Sequence, residues 1–475
     1  MIMVGTIFGN TLEKFTEIEH NKKLQYLLLL LIVLLAAGLR LYKLGEWSFW
    51  FDEVFTIQAA QNPANYSISW PRLSLMLIGT SLKFLGTSEW SARLAPALIG
   101  TITIPILYFP VRKVSGAVVA SLSAVFLAVS PWHLFWSQNA RFYTSLMLLY
   151  TLGLVMFYFA IEEDRPSYLV ISLVLLALSA VERFIALFFV PVLLIYLLLL
   201  RLMPVEKPPG LRVRNLLLFL LPGIAFSIFE VYSFVSRGES LILDTFLAFS
   251  PNRGPDPLRL LSYITSDFGI PLVCLAFFTG IYLILQKNRA GLFFFLGALV
   301  PVGTLLLANP FMYTNERYVF ISLPSWIILG AISIREIFSE SRNRRWILAA
   351  GILFLVLADA TQSDLMYYQA NNGDRLDWRG AFELIQQRST DGDVYVSYWP
   401  TLGDYYLNQD VLSLRDIELE KLVESGRRIW FVIDNFAVWS APRKSHWVEQ
   451  NAELIDVSYL RKLSDSSLSI YLYTP

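Results

Sequence analysis

From LQYLLLLLIVLLAAGLRLY onward, the sequence returns repeatedly to apolar runs near the ~20 residues that cross ~30 Å of hydrocarbon as a helix. After residues 24 to 42, such runs recur near 93 to 111, 116 to 135, 142 to 161, 167 to 181, 184 to 200, 215 to 235, 268 to 286, 291 to 308, 318 to 334 and 346 to 359. In lipid a backbone must satisfy its own hydrogen bonds, so these runs predict helices, about eleven of them. The run at 167 to 181 is the shortest, bounded by an acidic stretch and by Glu182-Arg183. With 55% hydrophobic and only 16% charged residues and a mean hydropathy of +0.53, the composition agrees. The fold class is an α-helical polytopic membrane protein.

Lys plus Arg and Asp plus Glu both number 38, so there is no basic surplus with which to neutralise nucleic-acid phosphates. Membrane lipids and small molecules are the expected partners. The single Cys274 lies in an apolar run, which excludes a disulfide framework within the chain. The first 23 residues are polar and mixed, without the short apolar core of a cleaved signal peptide, so the first run is expected to be an uncleaved span.

Lys and Arg beside the spans are retained on the cytoplasmic side. With the N-terminus inside, the short inner segments collect Lys22, Lys23, Arg112, Lys113, Arg201, Lys207, Arg212, Arg214 and Arg289. The outer segments hold fewer basic residues over more sequence, so the topology reads N-in, C-out. Residues 1–359 form the membrane domain, with long outer loops at 45–92 and 236–267. The first of these contains RLSLMLIGTSLKFLG, suited to a helix at the membrane surface. The second contains SPNRGPDPLRL, which reads as irregular backbone. From 360 to 475 the composition is that of a soluble α/β domain. VYVSYW, RIWFVID and LSIYLY read as strands, and DWRGAFELIQQR and LRDIELEKLVES as helices.

Three outer stretches carry residues suited to chemistry. WSFWFDEVFTI places Asp52 and Glu53 among aromatics just after the first span, where a partly desolvated carboxylate suits proton abstraction. The bland reading is an acidic water boundary beside interfacial Trp47 and Trp50. SPWHLFWSQNARFY offers His133, Asn139, Arg141 and Tyr143; a guanidinium at a helix mouth can clamp a phosphate through two parallel hydrogen bonds, or simply snorkel. NERYVFISLP places Glu316, Arg317 and Tyr318 at another outer mouth. Two Arg and an acid pair on one side fit an anionic headgroup. Asp391-Gly392-Asp393 reads as a turn before a strand rather than a metal-holding motif. No phosphate-binding glycine loop and no HExxH occurs.

Together, RLYKLGEWSFWFDE, GTSEWSARLAPALIGTITIPILYFPVRKVSG, SPWHLFWSQNARFY, ERYVFISLP and DWRGAFELIQQRSTDGDVYV resemble the bacterial glycosyltransferase family 39 proteins. These are relatives of dolichyl-phosphate-mannose protein mannosyltransferases and of the lipid A aminoarabinose transferase. The resemblance implies a GT-C fold in the bacterial inner membrane. It also implies an inverting hexosyl transfer from a polyprenyl-phosphate-linked donor to an acceptor hydroxyl on the outer face. It makes Asp52, with Glu53 beside it, the catalytic acid of the first outer loop. With a leaving phosphate to stabilise, Arg141 and Arg317 are assigned to it; Arg72, Arg93, His133, Asn139, Tyr143, Glu316 and Tyr318 are the further candidates for substrate binding. Relatives often carry an acid where this chain has Asn139, which bears on any divalent metal, and His-Pro-Pro-Leu where it has Ser69-Trp70-Pro71-Arg72-Leu73. A polytopic transporter or flippase of a lipid-linked or anionic substrate is the alternative, with the same charges lining a path.

Overall fold

The computed structural model describes residues 18–63, 72–238, 240, 256–339, 345–460 and 466–475. Among these, eight helical segments are long and apolar enough to cross a membrane: Lys22–Leu41, Glu89–Ser115, Tyr143–Glu163, Phe184–Leu202, Val213–Arg237, Arg289–Ala308, Glu316–Phe338 and Ile347–Gln369. Two further pairs are bent, Ala117–Ala128 with Pro131–Ser137 by 59° and Pro257–Phe268 with Ile270–Leu285 by 97°. Pro166–Glu182 is apolar but has only 17 residues. Each apolar run of the sequence therefore falls on helix.

The bends have local causes. Pro131 cannot donate a backbone hydrogen bond and starts a new helix, while Gly269 at φ 89° turns the chain between the second pair. Carbonyls left open at the first bend are met by a buried guanidinium: Arg40 Nη1 donates to Ala128 O and Nη2 to Leu127 O, both at 3.1 Å. Broken backbone at membrane depth persists only where protein satisfies it in this way.

The described residues of segment 45–92 are mostly helical. Phe51–Gln61 and Arg72–Leu85 pack against each other so closely that a Cβ on Gly79 would lie 2.8 Å from Ala60 O. The second is the helix expected over RLSLMLIGTSLKFLG, burying Ser74, Leu75, Ile78 and Leu82 on one face. Ser69, Trp70 and Pro71 lie outside the described residues, as do residues 250 to 255 of the expected irregular stretch. The rest of that stretch is a correction, because Asp256 and Pro257 start the helix Pro257–Phe268. The Asp256 carboxylate accepts from Leu258 N at 2.9 Å, and proline fits the first helical position without loss.

The last membrane helix runs on to Gln369, and a five-stranded sheet follows. Its strands are β1 Val394–Ser397, β2 Leu412–Ser413, β3 Ile429–Asp434, β4 Glu453–Leu460 and β5 Ser466–Tyr473, in the order β2-β1-β3-β5-β4. The β1 pairings are parallel and those of β5 antiparallel. β1, β3 and β5 sit where the apolar patterns put them. β4, with Glu453 and Asp456, lies at the sheet edge, where half-exposed residues carry little apolar signal. The helix expected over LRDIELEKLVES contracts to Leu419–Glu424. Asp391 and Gly392 form the expected turn, and the Asp393 carboxylate closes it on Thr390 N at 3.1 Å.

The C-terminal region shares a core with the outer helices. Phe49, Val54, Ile57 and Ile78 pack into one cluster with Trp378, Phe382, Trp430 and Ile470. That shared core fixes the start of the helix Phe51–Gln61, on which the two acids sit.

Candidate active site

Asp52 and Glu53 occupy the first turn of Phe51–Gln61, where carboxylates are favoured by the helix dipole. Consecutive helical residues point about 100° apart, so the pair cannot share one environment. Glu53 turns inward and is fully buried. Its Oε1 accepts from Arg93 Nε at 2.8 Å and from Ala140 N at 2.8 Å, and its Oε2 from Arg93 Nη2 at 2.7 Å. Arg93, equally buried, spends its remaining donors on the carbonyls of Leu44, Trp47 and Ser48 at 3.2, 2.9 and 3.0 Å. Arg375 stands 3.6 Å from Glu53 Oε2. Burial pushes the Glu53 carboxyl up, but the Arg93 guanidinium, Arg375 and the Ala140 amide together hold the group below the usual carboxylate range. Both residues were expected near substrate; instead they brace three chain segments, sealed from solvent.

Asp52 faces the other way. Its Oδ2 lies 3.1 Å from Arg317 Nη1 and 3.6 Å from Arg141 Nη2. Arg141 Nη1 also donates to Asp52 O at 2.9 Å and to Thr56 Oγ1 at 2.7 Å, which registers the guanidinium on the first turn of the helix. The side chains of Asp52, Arg141 and Arg317 are 16%, 11% and 21% exposed, so the cluster is sheltered yet reachable. Arg317 also lies over the Trp50 and Tyr318 rings, 5.9 Å from each centroid. It follows Glu316 in the short turn Glu316–Ser322, whose first amides are capped by Asn315. Tyr143, whose ring meets that of Trp136 at a 37° tilt with 3.8 Å between centroids, is within electrostatic reach of Arg317, Arg141 and Asp52.

The other expected residues divide. Asn139 is buried beside the cluster, its Oδ1 accepting from Trp50 Nε1 at 3.2 Å. His133 lies elsewhere, in the core: Arg40 Nη2 is 2.6 Å from its Nδ1. A guanidinium can only donate, so Nδ1 accepts and the proton sits on Nε2. That ring supports the helix bend rather than the acid. Arg72 opens the surface helix and reaches Pro63 O at 3.4 Å. Arg183, passed over in the sequence as the flank of a short apolar run, joins the cluster, within electrostatic reach of Arg141, Arg317, Tyr143 and Tyr318. The signal was present: a charged pair, Glu182-Arg183, at the end of an apolar helix.

A divalent metal does not fit these residues. The Asp52 carboxylate is held by two guanidiniums that would repel a dication, Glu53 is closed on Arg93, and Asn139 is neutral. Among the described residues, no three His, Cys, Asp or Glu side chains gather into a group able to hold a metal ion. The cluster is built for an anion. The Nε atoms of Arg141 and Arg317 and the Nδ2 of Asn139 are buried donors without a hydrogen-bond partner, a costly arrangement unless acceptor oxygens approach.

Residues 70–226 match the family described as dolichyl-phosphate-mannose-protein mannosyltransferase. No curated protein matches the chain by sequence. The structure of ArnT from Cupriavidus metallidurans bound to undecaprenyl phosphate superposes with a TM-score of 0.60 and 13% identity, over 93% of this chain and 97% of that one. The apo oligosaccharyltransferase from Archaeoglobus fulgidus gives 0.61 and 13%, over 91% and 73% of the two chains. AglB from Archaeoglobus fulgidus, in complex with an inhibitory peptide and a dolichol-phosphate, gives 0.57 and 11%, over 94% and 74%. At such identities the likeness is one of fold. Residues 70–226 thus carry the sequence signature of the mannosyltransferase family, and the chain as a whole has the GT-C fold of the membrane glycosyltransferases.

Proposed function

We propose that this protein transfers a sugar from a polyprenyl-phosphate carrier to an acceptor hydroxyl, with Asp52 as general base and Arg141 and Arg317 as ligands of the leaving phosphate. The observation that carries the reading is the carboxylate of Asp52 held between Arg317 at 3.1 Å and Arg141 at 3.6 Å, sheltered but reachable. A base and two anion-binding cations meet where a hydroxyl and a phosphosugar must meet. The family match and the fold of lipid-phosphate-bound relatives support the donor class.

In the step itself, Asp52 takes the acceptor's proton while the acceptor oxygen attacks the anomeric carbon. The bond from that carbon to the phosphate oxygen breaks and its electron pair stays on the phosphate. Negative charge therefore grows at the phosphate, where Arg141 and Arg317 stabilise it more in the transition state than in the ground state. Attack from the side opposite the phosphate inverts the anomeric centre. Glu53 and Arg93 act as positioning residues, locking the turn that aims Asp52. The reading includes a hexosyl donor, an inner-membrane location, a cytoplasmic N-terminus and an extracytoplasmic site and C-terminal domain, supported by the distribution of Lys and Arg.

The test is release of polyprenyl phosphate from a radiolabelled polyprenyl-phosphate hexose by purified protein in detergent. Wild-type turnover that is lost in Asp52→Asn, with both proteins folded, is the expected result. Equal turnover in both would remove Asp52 as the base, and no turnover with any donor would sink the transferase reading.

A further inference from the structure

Arg183 sits at the junction between the apolar helix Pro166–Glu182 and the turn Phe184–Phe188. Its position is set by its neighbour. Glu182 is buried at the start of the surface helix Arg72–Leu85, and its oxygens accept from Leu73 N and Ser74 N at 3.0 Å each and from Ser145 Oγ at 2.8 Å, with the Ser74 hydroxyl also on Oε1. A carboxylate on the first amides of a helix is a strong anchor. It ties three segments together one residue before Arg183.

The second constraint is a shared ring. Phe142, itself buried, has Arg141 Cζ 5.2 Å from its centroid and Arg183 Cζ 5.4 Å from it. Cation–π contact therefore holds both guanidiniums on one aromatic support. Arg317 and the phenols of Tyr143 and Tyr318 lie within electrostatic range of Arg183. Three guanidiniums within electrostatic range of one another exceed the single Asp52 carboxylate held by two of them, and a phosphate brought among them offsets the remaining repulsion. Arg183 is half-buried, on the same Phe142 ring as Arg141.

We infer that Arg183 is a third ligand of the lipid-linked phosphate, set beside Arg141 on Phe142 and fixed by the anchorage of Glu182. The inference rests on the proposed transferase reading and adds a recognition element to it. The donor's phosphodiester carries one negative charge, and the released phosphate monoester gains a second. A third guanidinium favours the more highly charged species, so it acts on the leaving phosphate and the transition state that resembles it.

The experiment uses the full-length protein in detergent and follows intrinsic tryptophan fluorescence during titration with undecaprenyl phosphate or with undecaprenol, which lacks the phosphate. Arg183→Ala is expected to weaken undecaprenyl phosphate binding by about tenfold to a hundredfold, the worth of a hydrogen bond to a charged group. Undecaprenol binding should not change. Arg183→Lys keeps the charge without the planar fork and should fall between the two; unchanged melting in the absence of lipid shows that both variants fold. If the folded variants bind undecaprenyl phosphate as the wild type does, Arg183 is not a phosphate ligand and the transferase reading stands. If the wild type itself does not distinguish the phosphate from the alcohol, the anion site is absent and both readings fall.

Discussion

Arg375, in the segment leading into the C-terminal sheet, stands 3.6 Å from Oε2 of Glu53, at the start of the helix that carries Asp52. The same guanidinium donates to Gln138 O and Gly373 O at 2.8 Å each, so it bridges the C-terminal region to the loop before Arg141. Nearby, Ser48 Oγ donates to Leu376 O at 2.9 Å, and Phe49 N donates to the Tyr406 hydroxyl at 2.6 Å. The C-terminal region is thus part of the scaffold under the acid, in addition to any role it has in recruiting an acceptor.

Removal of residues 370 to 475 is therefore expected to destabilise the membrane core and not merely to cut acceptor transfer. Phe49, Val54, Ile57 and Ile78 would lose their cluster partners, and Glu53 a cationic neighbour. Thermal unfolding in detergent of the truncated chain and of Arg375→Ala checks this. A truncated protein that melts with the wild type and still hydrolyses donor would contradict it.

Asp52→Asn is expected to lower turnover by about 10²–10⁴, the usual worth of general-base catalysis. Because Asp52 now occupies Arg141 and Arg317, removing its charge frees both for phosphate. Affinity for polyprenyl phosphate should be equal or tighter. Loss of lipid binding together with turnover would mean that Asp52 supports the pocket and does not act as its base.

Glu53→Gln leaves a buried guanidinium without its counter-charge, and breaking such a pair costs about 3–5 kcal/mol. The melting temperature should fall well below that of Asp52→Asn. The pH dependence has a definite sign. The folded pKa of Glu53 is depressed, so its stabilisation is complete above the unfolded carboxylate value and is lost as pH falls through that value toward the folded one. Melting curves across that acid range should slope more steeply for the wild type than for the variant.

Chelators should leave turnover unchanged, since two guanidiniums hold the Asp52 carboxylate and no three metal-ligating side chains gather among the described residues. Activity measured after exhaustive EDTA treatment decides the point. Loss that is restored by one divalent ion would require Asp52 to leave both arginines.

Much of this protein was written in one dimension. The apolar runs fixed the helices because a lipid-embedded backbone has no other partner for its polar groups, and β1, β3 and β5 announced themselves by dense apolar residues. Asp52, Arg141 and Arg317 were legible as charges at the mouths of apolar helices, where a carboxylate and guanidiniums suit chemistry as well as a water boundary. The split between Asp52 and Glu53 was not legible: adjacent letters look alike, and only the angle between successive helical side chains, combined with where Arg93 lies, sends one inward and the other to the pocket. The same holds for His133, turned into the core by Arg40, and for Arg183, brought to Phe142 by a helix whose neighbours are distant in sequence. Which residues are apolar is a local property of the chain; which charges meet depends on how the helices pack, and that only the tertiary structure decides.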